Sequence, residues 1–266
     1  MNIVVCVKQV PDPQMPLASF KIDPATNKLV PSPGIPPVIN GYDEQAVEAA
    51  LQLKEAHGGK VTILSLGKGL VSDVIKKPLS MGADELVLLQ DDSLEDGDSF
   101  STAHALAAAI RKIGEYDIII CGRQASDFDL GQVGAGIAEI LGTPAITIAR
   151  DIKMEDGRVR VERVVPDGYE VVEASPPVLV TVSNELGEPR YPTLRGIMAA
   201  GRKQPTVWTA QDIGLDASKA GSAGARTKTL KLFQPEKVSQ CEFIDGDSGA
   251  ESGEKLALKL REDKVI

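Results

Sequence analysis

Aromatic side chains are scarce: one tryptophan, four tyrosines and five phenylalanines amount to 4% of the 266 residues. The 42% apolar complement must therefore build its core from Val, Ile, Leu and Ala, the mixture of buried parallel strands covered by helices. Cysteine is as sparse. Cys6, Cys121 and Cys241 are far apart and form no CxxC pair, so neither a disulfide framework nor a zinc knuckle is supported. Cys6 and Cys121 lie in apolar runs and read as buried structural thiols. Basic residues are outnumbered 29 to 38, and the acids are spread along the chain. A surface with a formal charge of −9 repels nucleic-acid phosphates, so an anionic ligand must be held by local backbone N–H groups or single cations. No apolar run approaches the ~20 residues that cross a bilayer. The opening "MNIVVCVKQV" is too short for a signal-peptide core and leads directly into a strand. These features predict a cytoplasmic protein. The two histidines, His57 and His104, fall in helical patterns, and no spacing suggests a Ser/His/Asp or Cys/His set. No catalytic acid, base, nucleophile or metal ligand is assigned.

What the chain has in quantity is alternation. Short apolar runs at 2–8, 60–67, 85–90 and 116–122 read as strands, and helical patterns at 42–59, 70–83, 98–114 and 131–142 follow them. Four βα units in series predict an open, mostly parallel Rossmann-like sheet with helices on both faces. After Pro144 the period changes to two. Residues 145–183 read as several strands, with "EDG" and "PDG" as turns, that extend or flank the sheet. From about 206 the rhythm is lost. Residues 1–205 are expected to form the nucleotide-binding domain and 206–266 an extended arm ordered by a partner.

Ligands of open parallel sheets bind beyond the carboxyl ends of the strands, where strand order reverses. The most informative loop is "CGRQASDFDLGQVG", residues 121–134, which turns at Gly122 and enters a helix through Gly131. There the N–H groups of Gln132, Val133 and Gly134 suit a phosphate, helped by the helix dipole, with Gly131 and Gly134 allowing close backbone approach. The loop is neither GxGxxG nor Walker A, which disfavours a fingerprint dehydrogenase or a P-loop NTPase. Asp127 and Asp129 suit a ribose, a neighbouring subunit or plain solvent. Arg123 suits a phosphate, a flavin ring edge or an exposed ion pair. A second segment, "EPRYPTLRGIMAA" at 188–200, puts Arg190, Tyr191 and Leu194 on a proline-stiffened loop too polar to be core.

"VVCVKQVPD", "INGYDEQAVEAALQLKE", "SMGADE", "CGRQASDFDLGQVG" and "EPRYPTLRGIMAA", in this order and spacing, resemble the β subunit of electron-transfer flavoproteins over roughly residues 1–208. The resemblance implies an electron carrier that pairs with an α subunit, shares its redox-active FAD and serves acyl-CoA dehydrogenases. It also implies a second nucleotide inside the β subunit, either AMP or, in the NADH-oxidising bifurcating type, another FAD. Carried over by position, Val7, Lys8, Asn40, Ser65, Leu66, Gly67, Gly122 and Gln124 frame the adenosine. Gly131, Gln132, Val133 and Gly134 hold the phosphate, and Tyr42 approaches the flavin; Arg123 and Asp127 complete the cofactor set. The stretch with Arg190, Tyr191, Leu194, Ile197 and Met198 corresponds to a recognition loop whose leucine enters a pocket of the dehydrogenase. The alternative is a nucleotide-binding signalling or stress module of the same α/β superfamily without redox chemistry, which would need neither this loop nor the arm.

Overall fold

The computed structural model describes residues 1–235 and 241–266, in two compact units, Met1–Leu230 and Lys231–Ile266. In chain order the first unit begins with β1 (Asn2–Cys6), β2 (Gln9–Val10), the hairpin β3 (Lys21–Asp23) and β4 (Lys28–Val30), and β5 (Val38–Ile39). There follow α1 (Gly41–His57), β6 (Lys60–Leu66), α2 (Ser72–Ile75), α3 (Lys77–Met81), β7 (Glu85–Leu89), α4 (Ser99–Ile113), β8 (Ile118–Gly122) and α5 (Val133–Leu141). The unit continues through β9 (Ala145–Glu155), β10 (Arg158–Val165), β11 (Gly168–Ala174), β12 (Val178–Val182), α6 (Leu194–Arg202), β13 (Thr206–Trp208) and α7 (Gly221–Gly224).

Nine strands form one sheet in the order β11-β10-β9-β12-β8-β1-β6-β7-β13. From β9 to β13 neighbours run parallel, and β10 and β11 add antiparallel at the far edge. The sequence explains the burial. Successive side chains of a strand point to opposite faces, and Ile3, Val5, Ile63, Ile118 and Ile120 pack in one cluster with Val47, Ala50 and Leu51 of α1. Val4, Leu64, Ile119 and Leu179 pack in another with Leu106 and Ile110 of α4 and Ile137 of α5. Both faces are covered, which is why these strands read as unbroken apolar runs.

Three expectations need adjustment. The single helix expected at 70–83 is two short ones, because Pro78, at the start of α3, has no N–H to continue the first. The β-rich stretch does more than extend the sheet. β12 is buried at every position and lies in the middle of it, between β9 and β8. The compact unit also runs on past 205. β13 is an edge strand, Ile213 and Ala220 are buried against the α4 face, and Asp98 at the start of α4 accepts from the N–H groups of Arg226 and Thr227 at 2.8 Å each. Burial opposes ionisation of Asp98, but these hydrogen bonds and that of Ser101 outweigh it and hold the carboxyl down at about 2.

The second unit contains α8 (Gly249–Glu262). Ser248 caps it by accepting from the N–H of Glu251, and none of its side chains is buried. Its exposed length is supported by ion pairs four residues apart, Glu251–Lys255 and Lys259–Asp263.

Candidate nucleotide site and exposed helix

The next strand of the nine-stranded sheet after β1 in sequence, β6, lies on one side of it, and β8 lies on the other. The chain thus reverses direction of growth at β1–β8, and the loops leaving these two strands bound the crevice where open sheets take their ligands. Asp43, in the first turn of α1, ties the two loops together. Its carboxylate accepts from the Lys8 N–H at 2.8 Å and from the Gly122 N–H at 3.2 Å, and the residue is 6% exposed. Burial pushes this carboxyl up to about 7, against the pull of those donors and of the nearby Lys8 ammonium. A Cβ on Gly122 would lie 2.4 Å from the Asp43 Oδ1 and 2.7 Å from the Tyr42 Cβ, so only glycine permits this junction.

Asn40, which precedes α1, spends its side chain on the same loop rather than on the helix. Its Nδ2 donates to the Gln124 carbonyl at 2.8 Å, and its Oδ1 accepts from the Ser126 N–H at 3.1 Å. Lys8 Nζ donates to both oxygens of Asp127, at 2.8 and 2.7 Å, and sits 5.3 Å from the centre of the Phe128 ring. Gln124 donates to Asp129 at 2.8 Å, and the Arg123 guanidinium lies 5.6 Å over the Tyr42 ring. Lys8, Asn40, Tyr42, Gly122, Arg123, Gln124 and Asp127 are thus one connected cluster, while Val7 is buried in the α1-side core. Ser65 and Leu66 end β6, on the other side of β1, and Gly67 follows it. Ser65 is fully buried, and its Oγ has no hydrogen-bond partner among the described residues, an orphan that a ligand polar group would satisfy.

Gly131 has φ +62°, the left-handed turn that aims the loop into α5. Gln132 gives the helix no side-chain cap, so the first-turn N–H groups of Val133 and Gly134 have no side-chain acceptor from it. Gly134 has a packing role that its position in the sequence does not suggest. A Cβ there would meet the Thr181 Cγ2 at 2.8 Å, so this glycine lets α5 seat closely on β12. Cys6 and Cys121 stand side by side in the β1–β8 register, both buried, as the apolar runs suggested. The hydrogen bond with Cys6, together with burial, pushes the Cys121 thiol well up.

The second group of residues lies elsewhere, on a helix rather than a loop. Thr193 caps α6 by accepting from the Gly196 N–H at 3.0 Å, so the second half of the loop expected at 188–200 is the start of a helix, Leu194–Arg202. Gly196 lets α6 ride close to α3, since a Cβ there would lie 2.2 Å from the Ser80 carbonyl oxygen. Ala200 is buried in the α1-side core, and Lys203 Nζ donates to the carbonyls of Ala83 and Asp84 at 3.1 and 2.7 Å. The opposite side is apolar and open: Tyr191, Leu194, Ile197 and Met198 are 88, 74, 53 and 56% exposed. Arg190 does not join them. Its guanidinium turns inward onto Glu48 and Glu55 of α1.

Asp43 and Glu48 are the two residues that sequence reasoning passed over. An acid in the first turn of a helix looks like an ordinary dipole partner, and nothing along the chain indicates that 43 meets 8 and 122, or that 48 meets 190.

An open, mostly parallel sheet with a buried polar clamp at its switch point and a glycine-turned helix start defines an α/β protein with a candidate ligand crevice. Comparison with known proteins narrows the class. The model of the electron transfer flavoprotein domain family matches residues 34–213. The chain is 44% identical over 246 residues to an electron transfer flavoprotein subunit beta of Megasphaera elsdenii, covering 90% of this chain and 89% of that one. It is 41% identical, over the full length of both chains, to the subunit of the same name from Clostridium acetobutylicum. It is 39% identical, again over both full lengths, to the caffeyl-CoA reductase-Etf complex subunit CarD of Acetobacterium woodii. The chain belongs to the electron transfer flavoprotein family, as a beta subunit, and carries electrons. The signalling or stress module without redox chemistry is thereby left without support. Among the described residues no helix is long and apolar enough to cross a membrane.

Proposed function

We propose that the cradle between β1 and β8 holds an adenine nucleotide, AMP or FAD, and that the chain completes a redox-active FAD site together with an alpha-subunit partner. The observation that carries this reading is the convergence at one switch point of the Asp43-clamped loops and the uncapped start of α5 after Gly131, with the orphaned Ser65 hydroxyl on the neighbouring strand β6. The residues fit such a ligand. Main-chain N–H groups at 132–134 receive the phosphate, and the crevice loops carry two cations, Lys8 and Arg123. The Arg123–Tyr42 stack offers a flat cationic face to a ring system. FAD, when bound, supplies the electron-transfer chemistry; this chain binds, orients and shields.

The exposed face of α6 is the proposed docking site for a CoA-ester oxidoreductase of the acyl-CoA dehydrogenase type. The name of the Acetobacterium relative, which places it in a complex with caffeyl-CoA reductase, supports that partner class. Nucleotides released by denaturing the purified alpha–beta complex and separated by chromatography test the first part. One FAD with one AMP supports a plain carrier, and two FAD support the NADH-oxidising bifurcating type. A single FAD with no second nucleotide overturns the cradle.

A further inference from the structure

We infer that Arg190 is a positioning residue: its fork on Glu48 and Glu55 fixes the chain entering α6, so that the apolar face of that helix is presented in order before any partner arrives. The inference rests on the docking reading above but concerns a residue that does not itself face the partner. Glu48 is only 6% exposed. Its Oε2 accepts from the Arg190 backbone N–H at 3.1 Å and from Nε at 2.8 Å, while its Oε1 accepts from Nη2 at 3.0 Å and from Gln52 at 3.0 Å. On the outer side Nη1 donates to Glu55 Oε1, and Nη2 reaches Glu55 Oε2 at 3.1 Å. Main chain and side chain of one residue are therefore gripped at once, 142 residues away in sequence from Glu48.

A planar guanidinium held in fork-to-fork geometry on one carboxylate and braced by a second resists rotation in a way that a lysine ammonium does not. Burial alone would raise the Glu48 carboxyl, but the Arg190 hydrogen bonds outweigh it and hold it below its ordinary range. The Arg190 guanidinium, bonded to both glutamates, is pushed up in turn. The pair is thus charged throughout the physiological range. Three residues beyond the fork Thr193 caps α6, and the next residue is Leu194. Between them lie Tyr191 and Pro192, a connection too short to absorb a change at 190 without moving the helix start. Holding this segment in its bound shape reduces the ordering cost of association.

The test uses the purified alpha–beta complex, with docking to an acyl-CoA dehydrogenase measured as Kd and backbone hydrogen exchange measured at Tyr191, Thr193, Leu194 and Arg195. Glu48→Gln keeps the shape and removes the charge; Arg190→Lys keeps the charge and removes the fork, and serves if the first variant folds poorly. Each is expected to weaken docking by roughly three- to tenfold and to accelerate those amides. Leu194→Ala is expected to weaken docking without accelerating the amides at 191 and 193. If Leu194→Ala weakens docking while Glu48→Gln and Arg190→Lys leave Kd unchanged, the positioning role is wrong and the docking reading stands. Weaker docking with unchanged exchange means direct contact of Arg190 with the partner and also overturns it. A Kd unmoved by Leu194→Ala removes the docking reading, and the inference with it.

Discussion

The crevice at β1–β8 and the open face of α6 are built on opposite plans. The crevice draws on Lys8, Asn40, Asp43, Gly122 and Gln124, residues from distant parts of the chain, and its ties are to main-chain N–H and C=O groups. The α6 face draws on one segment, 191–198, and offers bare side chains. Changes in the first should therefore disturb folding and ligand together, whereas changes on the second should touch only association.

The largest expected effect is at Asp43. Its carboxyl keeps its proton up to about pH 7 in the fold, against an ordinary value of 3.8, so the folded chain binds a proton across a window in which the unfolded chain has lost it. Stability therefore falls as pH rises through that window, by up to about 4 kcal/mol at ~1.4 kcal/mol per unit. Urea midpoints of wild-type and Asp43→Asn complexes from pH 4 to 8 check this: the variant should show the flatter profile, and parallel profiles would assign the slope to other groups. Next comes Gly122→Ala, whose Cβ has nowhere to go. A loss of about 1–3 kcal/mol and a lower nucleotide content are expected, while Gly41→Ala, with nothing within 4 Å of its Cβ, should leave both unchanged. Calorimetry and nucleotide analysis on the two variants decide whether the junction is as tight as described.

The α6 face gives the contrasting result. Leu194→Ala should cost docking about 1–3 kcal/mol, roughly a five- to hundredfold rise in Kd, with Tm unchanged because the side chain packs against little of its own subunit. A lowered Tm with normal electron transfer would make this face part of the core and erase the contrast. Smallest is Lys8→Met. The Lys8–Asp127 pair is partly exposed, and its removal should change stability by no more than ~1 kcal/mol. Nucleotide release should nonetheless quicken, since the loop at 121–131 loses one of its tethers, and stopped-flow dilution would show it.

The sheet was largely legible because strands buried on both faces announce themselves as apolar runs. β12 carries the same mark in "PPVLVTVS", but it directly follows a period-two stretch and so reads as part of that stretch instead of as one of the parallel strands. The glycines were visible without their reasons: Gly131 does turn into a helix start, yet Gly134 and Gly122 are required by Thr181 and by Asp43, neighbours supplied by the fold. Arg190 reads as one of the partner-binding residues of the recognition loop, because its acceptors, Glu48 and Glu55, sit on a distant helix whose charges read as a solvated face. What could not be read was any contact made across sequence distance.

Because Gly196, Ala200 and Lys203 fasten α6 to the body and Arg190 anchors the chain entering it, the residues that point away from the body are under little packing constraint from the rest of the subunit. On the proposed docking reading, partner choice can therefore drift through substitutions at 191, 194, 197 and 198 while the electron-carrying chassis is inherited intact. The same separability makes those four positions an exchangeable cassette, by which one carrier scaffold could be re-addressed to a different oxidoreductase without rebuilding its cofactor site.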